Sequence, residues 1–403
     1  MTLTIATETP AFDGITRRKG LLTLLSGAML LAGCGGGGGD GVAAVGGGGT
    51  GSLSVGPISG IGSIIVNGVR YEDAFARVLD DDGAPRNRGE LKLGMMVRVK
   101  GKAKSRKADK TDEAEEISFG SELLGPIDSI PSPQTSPATL VVLGQTVQIS
   151  ATTIFEEGLT LASLAVGNIV EVHGFVDPDP VSNRLVATRI ERKVANVTAF
   201  KLQGRISNYS ATTLQIGKLI INFASADISG GFTLANDLLV RVRLTTTTTG
   251  TRTAVRIRRV EAETEDCDEA EVKGTITDFA TSAKFSVNGL LVDAGGISVP
   301  AGLKNGDRVE VKGSLVKGVL VAKKVELENE NDQFKFELHG KVSAKTETSF
   351  TLTSKGNIVV KVTFTVGVLE GFTQAGLRDG DNIEVKGVAL PDGSIKATRI
   401  KPD

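Results

Sequence analysis

Beyond residue 50, aliphatic and polar positions alternate in short runs along most of the chain. The run Leu303-Lys304-Asn305-Gly306-Asp307-Arg308-Val309-Glu310-Val311-Lys312-Gly313 shows the pattern best: a leucine, a polar turn, then aliphatic residues at every second position. A period of two puts the apolar side chains on one face of a strand and the polar ones on the other. Leu377 to Gly387 nearly repeats this run, Leu91 to Gly101 and Leu164 to Gly174 follow the same rule, and Leu234 to Arg243 is a worn version. A short Gly-centred strand opens each copy: Gly56-Pro57-Ile58, Gly125-Pro126-Ile127, Gly204-Arg205-Ile206, Gly274-Thr275-Ile276 and Gly340-Lys341-Val342. A hairpin follows, turning at Asn67-Gly68, Gly144, Gly217, Asn288-Gly289 and Lys355-Gly356; Asn-Gly suits such turns because both residues tolerate positive φ. An Ala-x-x-aliphatic strand closes each copy, at Ala114 to Ile117, Ala187 to Ile190, Ala254 to Ile257, Ala322 to Val325 and Ala397 to Ile400.

The chain therefore aligns with itself five times. Five strands in roughly 65–80 residues predict a small closed barrel, and closure would hide the strand edges that otherwise invite aggregation. The expected fold class is all-β, a tandem array of five small five-stranded barrels, with units at 53–120, 121–195, 196–263, 268–330 and 333–403. Units of this size sit near the lower limit for independent folding, so neighbouring copies are expected to lean on each other.

Composition agrees with strands and tight turns: 50 Gly, no Trp, two Tyr. At 403 residues the chain exceeds one ordinary domain. A net charge of −1 supplies no global field to draw it onto nucleic acid or anionic lipid.

The first 52 residues read as an address and a tether. Arg17, Arg18 and Lys19 precede an uncharged apolar stretch from Leu21 to Leu31, too short to span a bilayer. Leu31-Ala32-Gly33-Cys34 follows at once. This resembles the lipobox of bacterial lipoproteins, which implies recognition of Leu31, Ala32 and Gly33 by a signal peptidase, cleavage after residue 33, and a lipid on Cys34 that anchors the chain to a membrane. Thr16-Arg17-Arg18 also resembles a twin-arginine export signal, although Gly20 stands where that family has Phe, so the export route stays open. Gly35 after the cysteine resembles the sorting pattern for an outer membrane. The segment 34–52 is mostly glycine and is expected to be a flexible tether. With Cys34 lipidated, Cys267 has no partner for an internal disulfide.

The repeats resemble the bacterial domain-of-unknown-function family 5666, carried by the Gly-Asp-x-Val/Ile-Glu-Val-Lys-Gly strands at Gly306–Gly313 and Gly380–Gly387 and by the closing Ala-x-x-Ile strand. The resemblance covers about Leu53 to Lys401, with the third copy departing most, since Arg243 is not followed by Gly. It implies an OB-like small β-barrel, found in tandem on lipoproteins, and no known reaction.

No group with obvious chemistry recurs in every copy. His173 and His339 occupy positions held elsewhere by Lys or Gln, so both are expected to be solvent-facing strand ends. Asp307 and Asp381 precede the alternating strand; they could ligate Ca²⁺, but a turn carboxylate bonding its own backbone is the plainer reading. Asp80-Asp81-Asp82-Gly83 is expected to be a solvated hairpin loop, with weak cation binding as the alternative. Cys267 lies among Glu265, Asp266, Asp268 and Glu269, which disfavour the thiolate; it reads as a linker thiol, with an intermolecular disulfide as the alternative. The basic arm 100–110 and the acidic arm 112–116 are expected to flank one hairpin tip. No Ser-His-Asp set, phosphate loop or paired-Cys site is present.

The expected function is that of a membrane-anchored, non-catalytic binding or structural module of the cell envelope, with no metal or cofactor. Expected partners are the membrane, through the lipid on Cys34, and an envelope protein or polysaccharide, with no nucleic acid because stacking aromatics are scarce. A carbohydrate-binding array and a hydrolase with a site between copies are the alternatives. An outer-membrane location is expected, its face left open.

Overall fold

A computed structural model describes residues 51–102, 111–131, 138–176, 184–194, 197–247, 251–260, 265–328, 336–354, 358–390 and 392–403. Leu31, Ala32, Gly33 and Cys34 lie outside them, as does the turn at Lys355-Gly356.

The alternating runs all form strands, and each copy closes on itself. In unit 1, Gly51–Ile61 pairs antiparallel with Ile64–Val66, which pairs with Val69–Glu72; that strand runs parallel to Thr111–Phe119, which pairs antiparallel with Met96–Lys102, and Met96–Lys102 returns to Gly51–Ile61. The order is first, second, third, fifth, fourth, first: a closed OB-like barrel. Unit 2 repeats it with Leu123–Ser129, Ala138–Val142, Gln145–Phe155, Ile169–Val176 and Leu185–Lys193. Unit 5 repeats it with Phe336–Ser343, Ser349–Thr353, Val359–Thr363, Asn382–Ala389 and Ile395–Pro402. Unit 3 (Phe200–Arg205, Thr213–Ile216, Leu219–Asn222, Leu239–Leu244, Arg252–Arg259) and unit 4 (Cys267–Thr275, Lys284–Val287, Leu290–Asp293, Arg308–Val316, Val319–Leu327) close the first and second strands through single bridges, Ser207 to Gln215 and Ile276 to Val287.

The Ala-x-x-aliphatic spacing has a structural cause. Residues three apart on a regular strand face opposite sides, yet Ala322 and Val325 are both buried, as are Ala187 with Ile190 and Ala397 with Ile400. A β-bulge reconciles them. The ladder steps from Lys312–Lys324 to Gly313–Ala322, leaving Lys323 unpaired, and the same step occurs after Lys100, His173, Arg243 and Lys386. The extra residue turns both apolar side chains inward. It also brings backbones so close that a Cβ on Gly313 would lie 2.0 Å from the Val321 carbonyl oxygen; at Gly174 the corresponding distance to Val186 is 2.2 Å. The first-strand glycines answer to a different neighbour. A Cβ on Gly56 or Gly274 would lie 2.3 Å from the amide of Asn67 or Asn288, the residue that opens the hairpin turn at φ 54° or 50°.

The units do not sit as beads in chain order. The first strand of unit 1 is eleven residues long; one half bonds the fourth strand and the other bonds the second, leaving an open edge on each half. Ser52–Val55 takes unit 4's first strand on that edge, in parallel, and Gly60–Ile61 takes unit 5's. Units 2 and 3 join antiparallel through Leu123–Leu124 and Lys201–Leu202. Exposed ladder groups are thereby satisfied. The cores follow the same grouping: units 1 and 5 share one apolar cluster, units 2 and 3 a second, and unit 4 takes in Leu53 of unit 1. Among the described residues, no helix is long and apolar enough to cross a membrane.

Candidate functional site

The residues singled out from the sequence do not converge. Asp307 Oδ2 accepts the Lys304 amide at 2.9 Å and Asp381 Oδ2 the Arg378 amide at 2.8 Å; Asn168 does the same for Ala165. These are turn residues tied to their own backbone. The expectation of solvent-facing histidines is corrected. His173 is buried, with neither ring nitrogen hydrogen-bonded, because it lies on the ladder where units 1 and 2 press together. Burial holds its pKa down against the pull of Glu171 and Glu191. His339 is buried too, with Asp403 Oδ1 2.8 Å from Nδ1 and Glu337 Oε1 3.1 Å from Nε2; burial lowers its pKa, but these two carboxylates outweigh it and raise it. Cys267 is likewise no linker thiol. It opens the first strand of unit 4 and is buried with Leu53, so an intermolecular disulfide would require opening the strand.

Among the described residues, two groups have the donor types of a metal site, Glu337–His339–Glu384 and Asp80–Asp81–Asp82. In the first, Lys386 meets Glu337 at 2.8 Å and Lys401 meets Glu384 at 2.6 Å. In the second, Asp81 meets Lys201 at 3.1 Å and Arg241 at 3.2 Å, while Asp82 meets Arg243 and, at 3.2 Å, Arg258. The chain's own cations fill both sets. The expected solvated loop at Asp80–Gly83 is therefore corrected: it docks on unit 3 and clamps it to unit 1. Its partners are remote in sequence, so local composition did not reveal them.

This clamp borders a cleft of about 540 Å³ where units 1 to 4 meet. Unit 1 contributes Val55, Arg98 and Phe119; unit 2, Glu122, Gly174 and Val176; unit 3, Gln203, Arg205, Arg241, Arg258 and Arg259; unit 4, Thr277 and Asn288. Arg205 crosses to unit 4, donating to the Thr277 carbonyl at 3.2 Å and to Asp278 at 2.7 Å. Glu122 is buried at the cleft wall and accepts the Gly174 amide at 2.9 Å. Burial pushes its pKa up to about 8, overriding Arg241 and the Gly174 amide. Glu122 is thus protonated at neutral pH.

A raised carboxyl pKa favours the fold below about pH 4.5 and loses that contribution as pH rises through about 8. Glu122→Gln should therefore melt higher than the parent chain at pH 9 and at the same temperature at pH 4. Parallel melting curves at both pH values check this; an unchanged gap between them would refute the assignment.

Of these cleft residues the sequence marked Gly174, Arg205 and Asn288 only as strand or turn positions, and none as part of a site. A signal was present: in the alternating strand, Glu171, Glu310 and Glu384 occupy the position that Arg98 and Arg241 hold in units 1 and 3.

The segments 125–191, 273–326 and 339–401 match the family model described as Domain of unknown function (DUF5666). These three matches fall on units 2, 4 and 5. Units 1 and 3, which carry arginine at that position, share the strand order of the matched units but lie outside the matched segments. No curated protein matches the chain. A solved structure titled "drosophila Unr CSD456" is similar at 14% identity and a TM-score of 0.13, over 52% of this chain and 99% of that one.

Proposed function

We propose that the chain is a membrane-anchored envelope lipoprotein whose barrels form a non-catalytic binding or structural module. The observation that carries this reading is the order Arg17-Arg18-Lys19, apolar Leu21 to Leu31, then Leu31-Ala32-Gly33-Cys34, a glycine-rich spacer, and the strand opening at Gly51. A lipid on Cys34 supplies the membrane affinity and the spacer sets the barrels off the surface. The non-catalytic half of the reading is supported by the placement of the two histidines, both buried away from the cleft. Paired acid–base groups of catalytic type need access to a reacting atom.

Fractionation of cells carrying the parent chain and Cys34→Ala tests the anchor. The parent chain should pellet with membranes and incorporate labelled fatty acid, and Cys34→Ala should do neither. A Cys34→Ala chain that pellets and is processed normally would refute it. Protease shaving of intact cells then assigns the face: loss of the barrels places them outside, and protection places them inside the envelope.

A further inference from the structure

We propose that the outer face of unit 4 at Leu291, Val316, Val319 and Val321 is the surface on which the anchored chain rests against the lipid bilayer. The inference rests on the anchored reading above and goes beyond it by naming the face that meets the lipid.

Strand periodicity defines the patch. Leu290, Val292, Leu315, Leu320 and Ala322 are buried in the unit 4 core, so the residues that alternate with them point outward. Leu291 is 55% exposed, Val321 45% and Val316 44%, and Val319 is half-buried. The ladder makes them neighbours. Val319 pairs with Val316 on one side and with Leu291 on the other, and Val321 follows two residues along on the same face. Singly exposed aliphatic residues are ordinary, whereas a contiguous group across three strands marks a contact surface. The other barrels do not share it. The positions of Leu291, Val319 and Val321 are held by Arg70, Thr111 and Glu113 in unit 1 and by Lys361, Ser394 and Lys396 in unit 5. Unit 2 keeps one aliphatic residue of the three, Val186, and unit 3 one, Ile220. Closing a barrel therefore does not require aliphatic side chains there.

The point where the spacer joins the barrels argues for what covers the patch. The strand that opens at Gly51 runs beside the first strand of unit 4, and a Cβ on Gly51 would lie 3.5 Å from that of Cys267. Cys267 pairs with Leu315, and Leu315 with Leu320. Three steps of the usual spacing between strands, about 14 Å, thus lead from Gly51 to the edge of the patch. Sixteen residues lie between Cys34 and Gly51. A glycine-rich chain of that length has a root-mean-square reach of about 23 Å, so a lipid on Cys34 keeps this end of unit 4 close to the bilayer. That reach is a range and not a fixed stand-off, so the barrels can come down onto the surface as well as ride above it. Leucine and valine side chains gain by leaving water for the boundary between headgroups and acyl chains. Tethering raises the local concentration at which patch and lipid meet, so a contact too weak to hold the Cys34→Ala chain on a membrane is populated in the anchored one. Docking of a second copy of the chain would not need the patch at the end where the spacer joins.

The test uses the full lipidated chain in phosphatidylcholine vesicles. An environment-sensitive fluorophore is placed on Lys317→Cys, at the exposed hairpin tip beside the patch, or on Val359→Cys, exposed on unit 5. Lipid spin-labelled at the headgroup should quench the fluorophore at Lys317→Cys and leave the one at Val359→Cys bright. Added salt should change neither, since the contact is aliphatic. The double substitution Leu291→Ser/Val321→Ser should lower the ratio of seated to free chains about 25-fold, roughly fivefold per half-exposed side chain, so that quenching is lost while the chain still pellets with the vesicles. Comparison of the two labels needs neither substitution and decides the matter even if the double variant melts early. Equal quenching at both labels, or none at either, in a chain that pellets overturns the proposed face and leaves the anchor standing. A chain that the vesicles do not retain overturns both. A blue shift at Lys317→Cys that follows protein density and not the quencher assigns the patch to a second copy and overturns the lipid contact.

Discussion

Gly313→Ala is expected to destabilise unit 4 by about 3 kcal/mol, the upper range for forcing atoms into a packed interior. The new Cβ would sit 2.0 Å from the carbonyl oxygen of Val321, on a strand held by the bulge and by its ladder. A backbone oxygen cannot swing aside as a side chain can, so the bulge itself must open. Hydrogen exchange on amides of Arg308–Val316 and Val319–Leu327 should accelerate, while the unit 3 ladder stays protected. Gly296→Ala, where the Cβ would meet nothing within 4 Å, should change stability by less than about 0.5 kcal/mol. Equal behaviour of the two variants would show that close approach is not why glycine stands there. The third unit illustrates the alternative: its bulge carries Leu244, buried in the core.

Glu191→Gln should cost about 3 kcal/mol at pH 7, and the cost should vanish in acid. Burial raises the Glu191 pKa, but Arg189 and Lys193 outweigh it and hold the carboxyl at about 2. Arg189 Nε donates to it at 2.5 Å and Lys193 Nζ at 2.7 Å, with both the arginine and the glutamate nearly covered. The same Arg189 reaches the Leu93 carbonyl of unit 1 at 3.1 Å, beside a Thr188 hydroxyl donating to the Gly94 carbonyl at 2.7 Å. The pair therefore fastens unit 2 to unit 1. A depressed carboxyl pKa stabilises the fold fully above about pH 4.5, and the contribution fades as pH falls toward 2. Urea unfolding of parent and variant should differ most at pH 7 and converge near pH 2. A gap that persists at pH 2 would mean that Glu191 acts through packing and not through charge.

These two sites show how unevenly the sequence reports. Val309 and Val311, Ile383 and Val385, and Val170 and Val172 were legible as core positions because a strand repeats every two residues, and all are fully buried. The Asn67-Gly68 and Asn288-Gly289 turns were legible because positive φ restricts the residue types. The Ala-x-x-aliphatic spacing was legible as a pattern but not as a bulge, although its period of three on a strand could have disclosed one. Asn67 was legible as a turn residue. That its side-chain amide also donates to the Glu271 carbonyl of unit 4 at 3.1 Å was not.

Local pattern thus determined what each unit is: five self-similar barrels, their strand faces, their hairpins, and the asparagine and glycine positions that turn them. These are short-range consequences of side-chain period and backbone sterics. Only the tertiary structure decided which units touch. The parallel pairing of Ser52–Val55 with Glu269–Val272, the clamp of Asp81 on Lys201 and Arg241, the burial of His173 and His339, and the cleft between units 1 to 4 all join residues far apart in the chain. Backbone edges left open along a long first strand carry no side-chain signature, and an arginine on a strand reads as solvated until the opposing surface is known. The physical reason is that closure of a barrel is a local property, whereas the partner of an open edge or of a strand-borne charge is set by where other units come to rest.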